Sequence, residues 1–414
     1  MEIILETGYT SIEGGVCAAK GFAANGLNCG LNPDPNKNDL GMIYSETVCD
    51  TAAVYTQNKV KGAPILVTKQ NLDATGGKAR AVIVNSKNAN TCNRDGEEKA
   101  SQMCSLTAKA LGIEANEVVV ASTGVIGQIL PIEPIRDHVE ELAKGLSVEN
   151  HIEAATAIMT TDTFKKEAAV SFSLGGKTVR LGGMAKGSGM IHPNMATTLN
   201  FVTTDAAIDV NLLQKALSQV VKVTYNCLSI DGDTSTNDMV CVMANGLSDA
   251  PRIESENEDY EIFCRALYLV LMNLTRMLAK DGEGASKLVE CHCKGAKDRE
   301  TATALAKSVI GSALFKCMIF GEDANWGRIL CAMGYAPVDF DVDKVEVTFA
   351  SANGRVLVCK DGFGVEFSEE EAAKILSADE ICVDIDLHQG DADAKAWGCD
   401  LTYDYVKING DYRS

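Results

Sequence analysis

The chain has 414 residues, with 57 acidic against 38 basic side chains, a net charge of −19 and a pI of about 4.7. This balance argues against a nucleic-acid partner, because phosphate binding needs clustered Lys and Arg and the sequence has no basic run. The sequence also lacks a recognisable signal peptide and any run of about 18 apolar residues that would span a membrane. We therefore expect a cytoplasmic globular protein with no membrane partner, long enough for two or three domains.

The 15 cysteines are scattered along the chain. In a long chain without a signal peptide they predict small core residues in a reducing compartment rather than a disulfide framework. Cys291-His292-Cys293 is the one tight cluster of metal-ligand type. On a strand, Cys291 and Cys293 would share a face, but a structural zinc site usually needs a second pair and none lies nearby. We therefore predict no metal there.

The first half of the chain alternates strand and helix patterns. Gly, Asn, Pro and Asp dominate residues 21–39 and predict a loop. Beyond it, short apolar runs predict strands, and apolar residues at helical spacing predict helices. The predicted strands are residues 42–44, 52–55, 81–85 and 118–121, and the predicted helices are residues 98–111 and 135–146.

The second half opens with a hairpin, in which apolar residues alternate over 170–174 and 179–181 around Gly175-Gly176. Further helices are predicted at residues 210–221, 262–278 and 301–314, and a capping box at Ser368 predicts the start of another helix. Further strands are predicted at residues 239–243, 345–349, 356–358, 381–387 and 401–408, with 345–349 and 356–358 as a pair. Because many neighbouring strands are joined by turns rather than by helical crossovers, we predict an α+β (mixed α/β) fold with sheets covered by helices.

Residues 186–200, near the middle of the chain, suit neither a regular helix nor a strand in their first part. Gly187 and Gly189 loosen the backbone there, and Pro193 fixes φ and removes a hydrogen-bond donor. An apolar run follows. Such a segment presents a side chain at the end of a tight approach, although a plain surface loop leading into a strand is the simpler interpretation.

Two hydroxyl groups, those of Thr197 and Thr198, follow the small Ala196 in this segment. A threonine hydroxyl is a weak nucleophile until a base lies within hydrogen-bond reach. Cleavage before Thr197 would supply that base, because a free α-amine has a pKa of roughly 7.7–8. Lys186 could add a positive charge. From the residues alone, Thr198 competes with Thr197 as the nucleophile.

Other polar side chains offer different chemistry. The hydroxyl of Thr123 and the amide of Gly124, at the end of a predicted strand, could together bind an oxyanion, or form only a turn. Glu283 lies between two glycines after a long helix, where it could bind an amine or face solvent. His192 and His388 are isolated, and we predict structural or solvated roles for both.

Asp231 and Asp233 follow another apolar run. They resemble the Asp-x-Asp of magnesium-dependent phosphotransferases, in which one aspartate attacks phosphorus and the other moves protons. The segment does not fit a calcium-binding EF-hand, since it lacks a glycine at the sixth position of the loop. An Asx-rich turn is the simpler interpretation, and a phosphotransferase is the alternative function.

Taken in order, these segments resemble the ornithine acetyltransferase family of arginine biosynthesis, the glutamate N-acetyltransferases that include bifunctional members. The likeness covers nearly the whole chain. The central match is Lys186-Gly-Ser-Gly-Met190 followed by Pro193-Asn-Met-Ala-Thr197. The other matching motifs are Val82-Ile-Val-Asn85, Asn88-Ala-Asn90, Ser122-Thr-Gly-Val-Ile-Gly127, Met159-Thr-Thr-Asp162, Asp231-Gly-Asp-Thr-Ser-Thr-Asn-Asp238, Asp281-Gly-Glu-Gly-Ala285, Gly321-Glu-Asp-Ala-Asn-Trp-Gly-Arg328, Ala396-Trp-Gly-Cys-Asp-Leu-Thr-Tyr403 and Tyr405-Val-Lys-Ile-Asn409.

The resemblance implies that the chain cuts itself between Ala196 and Thr197 into fragments 1–196 and 197–414. Thr197 would then accept acetyl from N2-acetyl-L-ornithine, release ornithine and acetylate L-glutamate in a ping-pong cycle. The family's assembly holds two copies of each fragment, a heterotetramer, on a fold shared with certain self-processing aminopeptidases. No cofactor or metal is implied, and acetyl-CoA is left open as a second acetyl donor.

The family's site residues carry over to the positions that match its motifs. The oxyanion hole falls on Thr123 and Gly124. Asp231 and Asp233 belong to a family motif, so we expect them to organise structure near the site. The substrate contacts fall on Thr160, Lys186, Thr197, Glu283, Asn409 and the C-terminal Ser414.

Three positions depart from the family pattern. Thr198 stands where Met is common, Lys87 replaces a usual glycine, and Ser414 replaces a terminal Thr but keeps the hydroxyl. None of them removes a group that the reaction needs. A non-catalytic amino-acid-binding relative is a further alternative, which the retained Thr197 and Lys186 argue against.

Overall fold

The computed structural model describes residues 1–192 and 198–411. The strands are β1 (Thr10–Ser11), β2 (Phe22–Leu27), β3 (Leu40–Tyr55), β4 (Lys78–Asn85), β5 (Val118–Ser122), β6 (Lys166–Leu174), β7 (Lys177–Lys186), β8 (Leu199–Thr204), β9 (Leu228–Ser229), β10 (Met239–Ala244), β11 (Leu288–Ala296), β12 (Glu346–Ser351), β13 (Gly354–Lys360), β14 (Phe363–Gly364), β15 (Glu380–Asp386) and β16 (Ala392–Cys399). The helices are α1 (Ala63–Thr75), α2 (Gly96–Leu111), α3 (Ile132–Lys144), α4 (His151–Ala157), α5 (Val210–Val223), α6 (Glu258–Lys280), α7 (Arg299–Gly311), α8 (Ala313–Phe320), α9 (Trp326–Gly334), α10 (Glu369–Leu376) and α11 (Tyr403–Asp411). This mixture confirms the predicted mixed α/β class.

Nine strands of the described ranges form one sheet in the order β1-β6-β7-β8-β10-β3-β4-β5, with β2 also paired to β3. Strand β3 pairs with β4 over its first part and with β10 over its last, and its register with β4 shifts between Tyr44 and Cys49. Buried side chains from both parts of the sheet, such as Val82 of β4 and Phe201 of β8, belong to one cluster. The sheet therefore bends at β3, and its two halves pack face to face.

The strand sequences explain why both faces of each half are covered. Successive residues of a strand point to opposite faces. In β4, Val82 faces the cluster between the two halves, whereas Ile83 packs with α2 and α3 on the outer face. In the other half, Val202 of β8 packs with α5 and α6. This double burial explains the unbroken apolar runs that predicted β4 and β5.

Seven other described strands form a second sheet in the order β14-β13-β12-β15-β11-β16-β9. Helix α6 packs against β6 and β7 of the first sheet and against β11 and β16 of the second, so one core joins both sheets. By length and composition, α6 could cross a membrane, and so could the bent pair α7 and α8 if it formed one span. However, 78% of the apolar window of α6 is buried inside the protein, as in a core helix.

Several predicted elements are confirmed. The hairpin forms as β6 and β7, with Gly175 and Gly176 both at positive φ in its turn. Strands β12 and β13 pair as an antiparallel hairpin, as predicted. Ser368 caps α10, because its hydroxyl accepts a hydrogen bond from the amide of Glu371 at 3.2 Å. The helix predicted at 301–314 ends earlier, at Gly311, where Ser312 caps the separate helix α8.

Two predictions in the first half are wrong. Residues 21–39, predicted as a loop, contain β2, in which Phe22 and Ala24 are fully buried. Gly26 is glycine because a β-carbon there would lie 2.1 Å from the carbonyl oxygen of Glu153 in α4, so this glycine marks close packing and not a turn. The strands predicted at 42–44 and 52–55 are one continuous strand, β3.

The strand predicted at residues 401–408 is also wrong, since residues from Tyr403 onward form α11. Apolar and polar residues alternate there, which favours a strand by pattern alone. In the structure, Tyr405 and Ile408, three residues apart, are the half-buried positions of this helix, whereas Val406 is 71% exposed. That spacing is helical.

Candidate active site

A cavity of about 150 Å³ opens beside the ends of β5 and β7 and the starts of β8 and β10. Side chains from both halves of the nine-stranded sheet meet there, since Asn237 Nδ2 donates to Ser122 O at 3.0 Å. The cavity brings together the predicted site residues Thr123, Gly124, Thr160, Lys186, Glu283 and Asn409. The other predicted site residues, Ala196, Thr197 and Ser414, lie outside the described residues.

Thr123, Gly124 and Lys186 form one side of the cavity, here called the strand-end wall. The amide of Thr123 donates to Asn85 O at 2.9 Å, so only its hydroxyl remains to bind a ligand. That hydroxyl oxygen accepts a hydrogen bond from Lys186 Nζ at 3.2 Å, which leaves the hydroxyl proton free to donate. The amide of Gly124 has no hydrogen-bond partner among residues 1–192 and 198–411.

Only glycine fits at position 124. Its φ is +131°, and a β-carbon would lie 2.2 Å from the carbonyl carbon of Lys87. Lys87 itself adopts a left-handed φ of 72°, a conformation that favours glycine. The backbone of Lys87 thus packs directly against Gly124, and its carbonyl oxygen accepts a hydrogen bond from the amide of Val125 at 3.1 Å.

Lys186, the last residue of β7, carries the positive charge of this wall. Burial lowers the pKa of its ammonium, and the carboxylates of Asp162, Asp238 and Glu283 oppose that shift. The positive charge of Lys166 adds to the lowering. Lys186 therefore holds its proton less tightly than a lysine in water but lies in a site rich in negative charge.

Asp238, directly before β10, lines the same cavity and was not singled out from the sequence. It is 3% exposed, and its Oδ2 has no hydrogen-bond partner among the residues that the structure describes. Burial raises its pKa well above the ordinary value, against the opposing effects of Ser235 and the charge of Lys186. A carboxyl group in this state favours the neutral, proton-donating form.

Glu283 and Asn409 form another part of the lining, here called the C-terminal wall. Asn409 Nδ2 of α11 donates to Glu283 Oε2 at 2.7 Å. Gly189 allows the carboxylate to lie close to the backbone, because a β-carbon there would be 2.3 Å from Glu283 Oε2. The two walls therefore present a cation and a carboxylate to one small volume.

Comparison with known proteins places the chain in a family. The ArgJ family matches residues 23–414. The arginine biosynthesis bifunctional protein ArgJ 1 of Clostridium acetobutylicum is 49% identical over 394 residues, covering 95% of this chain and 96% of that protein. The chain belongs to the ArgJ family. It is an enzyme of arginine biosynthesis with acetyltransferase activity, as its motifs predicted.

Two further comparisons describe its relatives. The arginine biosynthesis bifunctional protein ArgJ of Geobacillus stearothermophilus is 46% identical over 417 residues and covers 100% of both chains. A solved ornithine acetyltransferase from Mycobacterium tuberculosis, complexed with ornithine, is 35% identical, with a TM-score of 0.41, and covers 45% of this chain and 100% of that chain. Membership of the ArgJ family does not favour the alternative of a magnesium-dependent phosphotransferase.

Of the two aspartates that motivated this alternative, Asp231 makes the contacts of a structural residue. Asp231 accepts hydrogen bonds from the amides of Met190 at 2.7 Å and Ile191 at 2.9 Å. It also accepts from the amide of Asp233 at 3.2 Å, which is the predicted Asx turn. Asp231 therefore holds the chain that leads into residues 193–197, as expected for a motif that organises structure near the site.

Thr198, the predicted competitor of Thr197, lines the cavity but is 3% exposed. Its hydroxyl oxygen accepts a hydrogen bond from Asn200 Nδ2, and its carbonyl accepts the amide of Met239 at 3.0 Å. On the other side of the undescribed segment, His192 Nδ1 lies 2.9 Å from Ser229 Oγ. Thr198 and His192 are thus each held by a neighbouring polar side chain.

Cys291 and Cys293 share a buried face of β11, as predicted. Burial raises the pKa of both thiols, that of Cys293 to about 12. His292 points to the other face and lies 3.6 Å from Asp384. In the described ranges, no group of three or more His, Cys, Asp or Glu residues is arranged to hold a metal ion.

Proposed function

We propose that the enzyme cuts its chain between Ala196 and Thr197 and uses Thr197 to transfer acetyl from N2-acetyl-L-ornithine to L-glutamate. Its products are ornithine and N-acetyl-L-glutamate, and the working enzyme consists of fragments 1–196 and 197–414. The observation that carries this proposal is the cavity that Thr198 shares with Thr123 and Gly124. Thr197 directly precedes Thr198 in the sequence, and this supports Thr197 as the residue that acts beside the two proposed oxyanion donors.

The reaction proceeds in two acyl transfers. The α-amine of Thr197 accepts the hydroxyl proton while Oγ attacks the acetyl carbonyl. The bond between the acetyl carbon and the nitrogen of ornithine then breaks, and the α-amine returns the proton to that nitrogen. The amine of glutamate attacks the resulting ester, so the acetyl–oxygen bond breaks and the threonine hydroxyl recovers its proton. One amide replaces a similar amide, so the exchange itself needs no external energy source and no cofactor.

The strand-end wall supports the proposed oxyanion hole. Both tetrahedral intermediates carry a negative oxygen, which needs donors fixed in advance. The hydroxyl of Thr123 is oriented because its oxygen accepts from Lys186 Nζ at 3.2 Å, and Gly124 offers an amide without a described partner. These donors need no rearrangement when the charge develops.

The charges of the cavity suit amino-acid substrates. A free α-amino acid carries a carboxylate and an ammonium, and ornithine has a second amine. Lys186 and Glu283, which line the same cavity, supply the complementary charges. We propose substrate contacts for the described residues Thr160, Lys186, Glu283 and Asn409, and for Thr197 and Ser414.

Further proposals follow from the family. Because its relatives carry the name bifunctional protein, we include acetyl-CoA as a second acetyl donor to glutamate. We also propose a heterotetramer of two copies of each fragment, located in the cytoplasm. Mass measurement of the native assembly tests the heterotetramer. Glutamate acetylation by acetyl-CoA, measured without acetylornithine, tests the second acetyl donor.

The direct test of the reaction separates its two halves. Purified enzyme is incubated with acetylornithine alone and then analysed by peptide mass spectrometry, which should find one acetyl group on Thr197 and one equivalent of released ornithine. Addition of glutamate should remove the acetyl group and yield N-acetylglutamate. Binding of ornithine without any turnover would instead identify a non-catalytic relative.

A further inference from the structure

Lys166 is a charged residue that no motif had pointed to, and it is completely buried. Its Nζ donates to Asp162 Oδ1 at 2.7 Å, to Asp281 Oδ2 at 2.5 Å and to Phe164 O at 3.3 Å. An ammonium group has three hydrogens, so each has an acceptor. A buried charge is tolerated only when it is paired and hydrogen-bonded in this way.

Besides its bond to Lys166, the carboxylate of Asp162 accepts two backbone amides beside the cavity. Its Oδ2 accepts the amide of Thr160 at 3.0 Å, and its Oδ1 accepts the amide of Gly187 at 2.7 Å. Thr160 lines the cavity, and Gly187 directly follows Lys186. A single carboxylate therefore fixes the backbone beside two proposed substrate contacts.

The carboxylate of Asp281 binds another residue of the chain. It accepts both the amide of Thr163, at 3.0 Å, and the hydroxyl of Thr163. Two residues later, the amide of Glu283 donates to Ser188 O at 2.8 Å, and Ser188 Oγ lies 2.7 Å from Thr161 Oγ1. Three segments that line the cavity, residues 160–163, 186–189 and 281–283, are thus joined to each other around Lys166.

The charges of this group also act on Lys186. One lysine and two aspartates leave an excess of one negative charge in a buried volume. The charges of Lys166 and Lys186 hold the pKa of Asp162 at about 2 although burial opposes them. The largest effects on Lys186 in return are burial, the carboxylates of Asp162, Asp238 and Glu283, and the ammonium of Lys166.

We propose that Lys166, Asp162 and Asp281 form a positioning centre that fixes Thr160, Lys186 and Glu283 relative to one another and stabilises the positive charge of Lys186. The inference rests on the proposed function, because it takes those three as substrate contacts. Lys166 and Asp162 belong to the proposed fragment 1–196 and Asp281 to 197–414. The same contacts therefore join the fragments after cleavage.

The test compares two isosteric variants, Asp162→Asn and Asp281→Asn. Both weaken the positioning centre, so KM for acetylornithine should rise about tenfold in each, by the loss of a charge-assisted hydrogen bond. Asp162→Asn removes the carboxylate that accepts the amide of Gly187, directly after Lys186, and that raises the pKa of Lys186. The basic limb of its pH profile of kcat/KM should therefore shift to lower pH, and by more than that of Asp281→Asn, because Asp281 contacts Thr163 and Lys166 instead.

Asp205→Asn is the matched control, because Asp205 is a buried carboxylate at the far end of β7 and β8 that also accepts two backbone amides, those of Lys20 and Arg180. It should leave KM and the pH profile unchanged. Circular dichroism and intact mass establish that each variant is folded and cleaved. If one aspartate variant fails to fold, the other still decides the KM prediction, and Lys166→Met replaces the missing one.

The outcomes separate this inference from the function on which it rests. Wild-type enzyme without acetyl transfer would overturn the proposed function itself. Active wild type together with folded Asp162→Asn and Asp281→Asn enzymes of unchanged KM and pH profile would overturn the positioning centre alone. Equal shifts of the basic limb in both variants would contradict the specific effect of Asp162 on Lys186.

Discussion

The two walls of the cavity differ in how firmly the fold holds them. The strand-end wall lies at the ends of sheet strands, with Thr123 9% exposed and its amide bonded to β4. The C-terminal wall depends on α11, which has no buried residue and exposes Tyr403 at 85%. Electrostatic catalysis needs donors that are fixed before the reaction, whereas substrate exchange benefits from an element that opens readily. We propose from this difference that the first wall supplies the oxyanion donors together with one substrate contact, Lys186, whereas the second wall serves recognition alone.

The largest expected effect is on the strand-end wall. Thr123→Ala removes one proposed oxyanion donor and should lower kcat about 10²–10³-fold with little change in KM. Steady-state kinetics at saturating acetylornithine measure this. Thr123→Ser keeps the hydroxyl and should retain most of the activity. A large rise in KM with unchanged kcat in Thr123→Ala would move recognition to this wall and break the comparison.

The second effect concerns Asp238, which lines the same cavity, and its contribution to the stability of the protein. The raised pKa of Asp238 means that the folded protein binds this proton more tightly than the unfolded chain, so stability falls as pH rises above the ordinary range of an aspartate. Asp238→Asn lacks this dependence. Its melting temperature should match that of the wild type at about pH 4 and exceed it at neutral pH, as scanning calorimetry would show. A wild type that is as stable as Asp238→Asn at neutral pH, or more stable, would contradict this assignment.

The third effect tests the C-terminal wall. Asn409→Ala removes the hydrogen bond to Glu283, worth about 0.5–1.5 kcal/mol, and should raise KM about two- to tenfold while kcat changes little. Val406→Ser, on the exposed side of the same helix, should change neither constant. A fall in kcat without a change in KM for Asn409→Ala would show that this wall also takes part in the chemical step.

The smallest effect is at Lys87, whose left-handed backbone supports Gly124. Lys87→Gly removes the strain of a side chain at positive φ and should raise the free energy of unfolding by about 0.5–1 kcal/mol, with activity unchanged. Lys87→Ala keeps a β-carbon and should bring no gain. Denaturant unfolding of the three proteins measures the difference, and equal gains in both variants would contradict the backbone explanation.

The sequence predicted the strand-end wall better than the C-terminal wall. The apolar run at 81–85 and the Ser122-Thr123-Gly124 exit could be recognised because both faces of β4 and β5 are buried. The helix that carries Asn409 was predicted as a strand, since alternating Tyr, Val and Ile obscure a helix that buries little. Local pattern is a weak guide where packing is sparse.

The buried environments of Lys166 and Asp238 could not be predicted from the sequence, although Asp238 ends one of the matching motifs. Lys166 follows Lys165 in a hydrophilic stretch and would be expected at the surface, yet it is fully buried between two carboxylates from distant segments. Asp238 Oδ2 has no hydrogen-bond partner among the described residues. Asp238 directly precedes β10, so the surroundings of this oxygen depend on how distant parts of the sheet come together. Such roles arise from long-range contacts, which a single sequence does not display.

The central claim is self-cleavage before Thr197, and denaturing mass spectrometry of intact protein tests it most directly. The wild type should yield two fragments, the second beginning at Thr197, and Thr198→Ala should also be cleaved. Thr197→Ala should remain one chain and transfer no acetyl group. An uncleaved wild type that still transfers acetyl, or cleavage lost in Thr198→Ala but retained in Thr197→Ala, would contradict the account.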